Sequence, residues 1–210
     1  MYRRFARYLA STTLAAILSL LFLLSYPIDP LRGGSSHWKE RINVVEGNGD
    51  GELLRIYSVF KSRRVDLEEA SLWAISETLL KESKRHSIDP ALVLAVISVE
   101  SSFRRAVVSS KGARGFMQIR PFVANALAEK VNLRKWEGIK SLDDPVLNIK
   151  LGVFYLYHLK NSFRDLRLAL TAYNWGPTEV QARIERNEAL PIGYATKVLA
   201  TYRHLQQGLL

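Results

Sequence analysis

IDPALVLAVISVESSFRRAVVSSKGARGFMQIRP, residues 88–121, is the stretch that decides the fold of this chain. Asp89 followed by Pro90 predicts a helix start, because Asp caps helix N-termini and Pro suits the first helical position. The residues that follow, up to Val99, are almost all apolar and cover every face of the helix. Such a helix is expected to be packed on all sides by other elements. Glu100, the first acidic residue after Asp89, lies at its C-terminal end.

The position of Glu100 suggests acid chemistry. Partial burial and the negative end of the helix dipole both disfavour an ionised carboxylate, so both raise its pKa. A carboxyl group that keeps its proton near neutral pH can act as a general acid, for example on the leaving oxygen of a glycosidic bond. The alternative is a surface ion pair with Arg104, four residues further on. Helix burial alone leaves both interpretations open.

The residues that follow Glu100 form a pattern of separated motifs. The first group is Glu100, Ser101, Phe103, Ala106, Ser109, Gly112, Ala113, Gly115, Met117, Gln118 and Pro121. Later groups are Asn148, Ile149, Gly152, Tyr155 and Leu156, then Ala172, Tyr173, Asn174, Gly176 and Pro177, then Tyr194, Lys197, Val198 and Leu199. In order and spacing these motifs resemble the soluble-lytic-transglycosylase (SLT) family, which is related in fold to goose-type lysozyme. The resemblance covers residues 88–203 and implies an all-α, lysozyme-like catalytic domain.

The resemblance also implies an activity. It indicates a peptidoglycan lytic transglycosylase that cleaves the β-1,4 bond between N-acetylmuramic acid and N-acetylglucosamine. Glu100 would protonate the bridging oxygen and then act as base, while the muramyl 6-hydroxyl attacks carbon 1 and leaves a 1,6-anhydromuramyl end. The same fold could instead hydrolyse the bond, as a lysozyme does, or bind the cell wall without turnover. No cofactor is expected.

Substrate-binding residues carry over from the family one at a time: Ser109, Met117, Gln118, Tyr173, Asn174 and Tyr194. The serine matches one that contacts the catalytic glutamate, and the methionine and glutamine match groove residues. The tyrosine–asparagine pair matches cleft residues, and the late tyrosine matches one whose hydroxyl can bond the glutamate. The chain departs from the family where Phe116 replaces a leucine. It also lacks the Glu-Thr pair that usually precedes the late tyrosine.

A second carboxylate, which ordinary glycosidases use, is hard to find in this sequence. Asp143 and Asp144 are the nearest candidates, but Asp144 is better used as a helix cap before Pro145. Asp165 stands between basic residues, which predicts surface pairing. A mechanism with Glu100 as the single acid and base therefore fits the sequence.

The net charge and the residue content of the chain limit the classes of partner and of metal or disulfide site that we expect. The 210 residues carry a formal charge of +10 and a pI near 9.9, which favours anionic partners. Nucleic-acid binding is not expected, since no zinc-finger, RNP-type or basic-heptad motif is present. Peptidoglycan stem peptides carry carboxylates and fit the charge. The absence of cysteine excludes disulfides and an acylated-cysteine anchor, and the four histidines lack metal-ligand spacing, so no metal site is expected.

The N-terminus predicts membrane attachment. Arginines precede residues 8–26, which are uncharged and mostly apolar. This favours an uncleaved signal anchor over residues 1–27 that crosses the bacterial inner membrane once, with the catalytic domain in the periplasm. Cleavage of a signal peptide and secretion to the periplasm is the alternative. Residues 28–51 are predicted to be a linker, rich in Gly, Ser and Pro. Cell-envelope machinery that recruits the enzyme is the remaining candidate partner.

The remaining sequence is predicted to be helical. Residues 52–87 are expected to hold two bracing helices, 52–61 and 66–86, the second with an Asp66–Glu69 capping box. Helical spacing places Trp73 in the core, and a sugar platform is the alternative. The catalytic domain then spans residues 88–210, with later helices at 122–131, 144–160, 166–173, 178–186 and 193–207. No alternating strand pattern appears, so the domain is predicted to be all-α.

Overall fold

The computed structural model describes residues 48–128, 130–131 and 136–208. The predicted anchor over residues 1–27 and the predicted linker up to residue 47 lie outside these ranges. Within the described ranges, no helix combines the length and the apolar character needed to cross a membrane.

The described part of the chain is all-α, as predicted, and contains no strand. Its elements are α1 (Asn48–Ser62), α2 (Glu69–His86), α3 (Pro90–Ser101), α4 (Pro121–Ala128), a 3-10 helix (Gly138–Asp143), α5 (Pro145–Phe163), α6 (Leu166–Trp175), α7 (Pro177–Glu185) and α8 (Gly193–Gln206). The later helices begin within one residue of their predicted starts, whereas the 3-10 helix was not predicted.

The helix from Pro90 is the centre of the fold, as its sequence predicts. Asp89 caps α3, since its Oδ1 accepts a hydrogen bond of 2.8 Å from the Ala91 N–H. Every residue from Leu92 to Ile97 is buried. Helices α1, α2 and α8 pack against α3, so apolar neighbours surround it and Glu100 is carried to the edge of this core.

Two predictions about the bracing helices are wrong. Helix α1 begins at Asn48 and not at residue 52, because the first-turn N–H groups have no intrahelical partner and polar or Gly residues are tolerated there. Helix α2 begins at Glu69, and its N-cap residue makes no side-chain cap. The Asp66–Glu69 capping box does not form, since Glu69 accepts a hydrogen bond of 2.8 Å from Tyr57 of α1 instead.

Two further aspartates act as helix caps. Asp144 Oδ1 accepts hydrogen bonds from the N–H groups of Val146 and Leu147, at 2.8 and 3.2 Å. Asp165 Oδ1 accepts one of 2.8 Å from the Leu168 N–H and caps α6. The predicted surface pairing of Asp165 is therefore wrong, because the free N–H groups at the start of α6 use its carboxylate.

A compact loop links α3 to α4. Isolated antiparallel bridges join Arg114 to Val108 and to Ile119. Asn148, fully buried on α5, makes two hydrogen bonds to this loop and one to the 3-10 helix. Its Oδ1 accepts from the Met117 N–H at 2.9 Å, and its Nδ2 donates to the carbonyls of Arg114 and Leu142 at 2.9 and 3.1 Å.

Candidate active site

Glu100 lies in the last turn of α3, where its side chain is half-buried. Burial raises the pKa of its carboxyl group from 4.5 to about 7, and a hydrogen bond from Tyr194 opposes part of that rise. The ion pair with Arg104, the alternative interpretation of Glu100, does not form. Arg104 Nε instead donates to the Ser101 carbonyl at 3.1 Å, and the described residues provide no ion-pair partner for Glu100. The group can therefore hold a proton near neutral pH, as a general acid must.

Two tyrosines with parallel rings stand next to this carboxyl group, one hydrogen-bonded to it and the other behind. Tyr194 at the start of α8 donates its hydroxyl to Glu100 Oε1 at 2.7 Å, which is the hydrogen bond that the family resemblance implied. The ring of Tyr173 on α6 stacks on the ring of Tyr194, with centroids 6.4 Å apart and planes 3° apart. Tyr173 donates to the carbonyl of Met117 at 2.8 Å. Burial, with the Glu100 charge second, raises the pKa of both hydroxyls well above 10, so both remain donors.

The loop residues carry structural contacts. Ser109 Oγ accepts from the Ala113 N–H at 3.0 Å, and among the described residues it makes no hydrogen bond to Glu100. Gln118 Nε2 donates to the carbonyls of Val107 and Gly115, at 3.0 and 2.9 Å. Both side chains therefore stabilise the turn between α3 and α4.

Met117 is not a groove residue, which corrects the prediction. Its side chain has no exposed surface. It packs against α5 at Gly152, where an added Cβ would lie 2.2 Å from the Met117 sulfur. Because Gly152 has no side chain, the methionine has room to turn inward. The backbone carbonyl of Met117 accepts the hydrogen bond from Tyr173, and this contact connects Met117 to the site.

An open cleft of about 500 Å³ lies beside Glu100. Its lining residues are Val99, Glu100, Asn174, Trp175, Pro191, Gly193, Tyr194 and Lys197. Of the predicted site residues, the structure thus brings Glu100, Asn174 and Tyr194 to one surface, with Tyr173 behind it. Among the described residues that line the cleft, only Glu100 and Lys197 carry an acidic or basic side chain.

Sequence reasoning assigned no site role to Trp175, Lys197 or Asn148. Lys197 follows Tyr194 by three residues on α8, so helical spacing from a predicted site residue could have found it. Asn148 had a different signal, since it is a polar residue within the apolar face of α5 and such residues need buried hydrogen-bond partners.

Other acids are engaged elsewhere. Asp143 accepts two hydrogen bonds from Arg114 Nη1, at 2.9 and 3.1 Å, and does not line the cleft. Within residues 48–128, 130–131 and 136–208, no three His, Asp or Glu side chains stand close enough to hold a metal ion. The site is therefore one carboxyl group with a raised pKa, which accepts a hydrogen bond from a phenol, in an open cleft of an all-α domain. This arrangement suits general acid–base catalysis.

The family profile described as "Transglycosylase SLT domain" matches residues 77–194, more than half of the chain, and the chain belongs to this family. The membrane-bound lytic murein transglycosylase C of Mannheimia succiniciproducens is 38% identical over 103 residues, which is 45% of this chain and 29% of that protein. The endo-type membrane-bound lytic murein transglycosylase A of Klebsiella pneumoniae is 34% identical over 99 residues, 46% of this chain and 47% of that protein. The chain thus spans less than half the length of these relatives.

Solved structures support the fold. The 70 kDa soluble lytic transglycosylase of Escherichia coli superposes with a TM-score of 0.60 at 21% identity, covering 80% of this chain and 32% of that one. A 70 kDa soluble lytic transglycosylase in complex with bulgecin A gives a TM-score of 0.59 at 24% identity, covering 68% and 25%. The predicted all-α SLT fold is confirmed.

Proposed function

We propose that this chain is a peptidoglycan lytic transglycosylase that cleaves the β-1,4 bond between N-acetylmuramic acid and N-acetylglucosamine. The observation that carries the proposal is Glu100, whose burial in the cleft wall raises its pKa to about 7. Membership of the SLT family and the names of the relatives, which are lytic murein transglycosylases, support it.

The reaction needs one carboxyl group in two states. Tyr194 occupies Glu100 Oε1 as donor, so the acid proton belongs on Oε2. Oε2 gives this proton to the bridging oxygen as the bond from carbon 1 to that oxygen breaks, and the substrate's own N-acetyl group stabilises the cationic centre. The resulting carboxylate accepts the proton of the muramyl 6-hydroxyl as its oxygen bonds to carbon 1. Water is neither consumed nor released, and a 1,6-anhydro ring forms.

The neighbouring residues have distinct proposed roles. The Tyr194 hydroxyl stabilises the ionised form of Glu100 between the two steps, because hydrogen bonds to a charged acceptor are the stronger ones. Asn174 is exposed in the cleft and can bond a sugar. Tyr173, Ser109 and Gln118 position the site through the loop contacts described above, and the positive charge of the chain suits the carboxylates of stem peptides.

The proposed location is the bacterial inner membrane, with residues 1–27 as a single-pass anchor and the catalytic domain in the periplasm. Residues 28–47 would form the linker, residues 48–87 the bracing helices and residues 88–210 the catalytic domain. The uncharged residues 8–26 and the membrane-bound relatives support this. Retention in the membrane fraction after carbonate washing, with protease access only from the periplasm, would agree with it. Recovery of a shortened, soluble chain would indicate signal cleavage.

Product analysis tests the activity. Purified sacculi are digested with the full chain, with Glu100→Gln and with Asp143→Asn, which changes the nearest other acid candidate. We expect anhydromuramyl ends by mass spectrometry from wild type and Asp143→Asn, and at least a hundredfold less product from Glu100→Gln. Reducing ends alone would indicate a lysozyme-type hydrolase. Binding to sacculi without product from wild type would indicate a wall-binding scaffold.

A further inference from the structure

One exposed aromatic side chain in the cleft has no part in the proposed reaction. Trp175, the last residue of α6, is 47% exposed and lines the cleft together with Glu100 and Tyr194. Other large apolar side chains in the described part of the chain are similarly exposed, but only Trp175 among them lines the cleft. An exposed aromatic group in a concave site is typical of ligand contact.

The indole ring is held in place before any ligand binds. The Arg183 guanidinium lies over the Trp175 ring, 5.6 Å from its centroid, in a cation–π contact. Arg183 is itself fixed, because its Nε donates to Glu179 Oε1 at 2.7 Å and its Nη1 donates to the Ala189 carbonyl at 3.3 Å. Glu188 lies 3.8 Å from Nη1. Arg183 does not line the cleft, whereas Trp175 does and is 47% exposed, so the contact with Arg183 leaves indole surface available to a ligand.

A tryptophan with a purely structural role in this chain has a different environment. Trp73 is partly buried against the core and stacks on Tyr57, with ring centroids 4.1 Å apart and planes 12° apart. Trp175 instead has a charged group over its ring and lines the cleft. It is not among the side chains that pack on the core, and its exposed surface is free for binding.

We propose that Trp175 is a stacking platform for an N-acetylhexosamine ring of the glycan strand, next to the bond on which Glu100 acts. This rests on the proposed function, which makes the ligand a glycan. The faces of a pyranose ring present C–H bonds, which pack on the electron-rich face of an indole while the hydroxyls at the rim stay in water. The fixed indole loses little side-chain freedom on binding. Asn174, the preceding residue, can bond the sugar rim.

Binding without turnover tests the proposal. The parent is the full chain in detergent with Glu100→Gln, and the probe is a preparation of glycan strands freed of peptide by an amidase. We expect Trp175→Ala to weaken binding about tenfold, and Trp175→Tyr, which keeps a stacking face, to weaken it less than about threefold. Arg183→Gln, which releases the indole but leaves it in place, should weaken binding about threefold.

Phe122→Ala is the matched control. Phe122 is 65% exposed and has the Arg120 guanidinium 5.9 Å from its ring centroid, yet it does not line the cleft. We expect this variant to bind like the parent. Equal binding by Trp175→Ala and the parent would overturn the platform, as would equal losses from Trp175→Ala and Phe122→Ala, or no binding by the parent. Because turnover plays no part, a failure of the platform is distinct from a failure of wild type to release anhydro products.

Discussion

Replacing the proposed catalytic acid should stabilise the protein, by an amount that grows as the pH rises from 4.5 to about 7. The pKa of Glu100 is about 7 in the folded chain and 4.5 in its ordinary state. Between these values the folded protein holds a proton that the unfolded chain has released, so stability falls as pH rises and the loss is complete above pH 7. At about 1.4 kcal/mol for each pH unit, the loss reaches about 3 kcal/mol.

Glu100→Gln removes this penalty, because an amide does not ionise and its oxygen can still accept the hydrogen bond from Tyr194. We therefore expect its free energy of unfolding to exceed that of wild type by about 3 kcal/mol more at pH 8 than at pH 4. Urea unfolding of both full chains in the same detergent measures the difference. An equal offset at the two pH values, or a relative loss at pH 8, would refute the burial argument for Glu100.

Glu188→Gln provides a control of opposite sign. The hydrogen bond from Arg186 holds the pKa of the exposed Glu188 carboxyl below its ordinary value. Its contribution to stability is therefore present above the ordinary pKa of a glutamate and is lost as pH falls. Compared with wild type, Glu188→Gln should lose stability at neutral pH and not at low pH. The two variants together separate a site-specific linkage from a general effect of removing one negative charge.

Three further predictions concern the loop and its supports. Tyr194→Phe removes a donor to the ionised form of Glu100, so the pKa of the acid and the alkaline limb of the pH–rate profile should rise by roughly one unit; an unchanged limb would contradict the role of this hydrogen bond. Asn148→Ala leaves buried groups unpaired and should cost about 3 kcal/mol in urea unfolding, whereas a loss below about 1 kcal/mol would mean that the loop does not depend on it. Gly115→Ala should destabilise more than Gly112→Ala: φ is +76° and +74°, but only at residue 115 would the added Cβ meet a neighbour, Asn148 Nδ2 at 2.3 Å, and equal unfolding midpoints would refute this.

The sequence predicted helix starts wherever the capping interactions involve only residues close together in the chain. Asp89-Pro90 and Asp144-Pro145 marked two helix starts because capping involves only residues close in the chain. The Asp66–Glu69 pattern failed for a non-local reason, since Tyr57 of another helix takes the Glu69 carboxylate. A capping motif competes with every donor that the fold brings near, and the sequence does not give that list.

The raised pKa of Glu100 was predictable from the sequence, but the positions of some of its neighbours were not. An apolar helix ending in Glu100 foretold a raised pKa, because desolvation follows from burial of that helix. Met117 was misplaced, since its direction depends on the space left by Gly152, and the motif that contains Gly152 does not show that the two residues are in contact. Trp175 had no local signal of exposure, because an apolar residue at a helix end can face either the core or a cleft.

The hydrogen bond between Tyr194 and Glu100 also determines how late in chain synthesis the site can form. The two residues are 94 positions apart in the chain, so at 5–20 residues per second a ribosome makes the tyrosine roughly 5–20 s after the acid. During that interval the acid lacks its partner and the cleft lacks its α8 wall. A growing chain, or one cut before residue 194, therefore holds the proposed acid without the hydrogen bond and the cleft wall that α8 supplies.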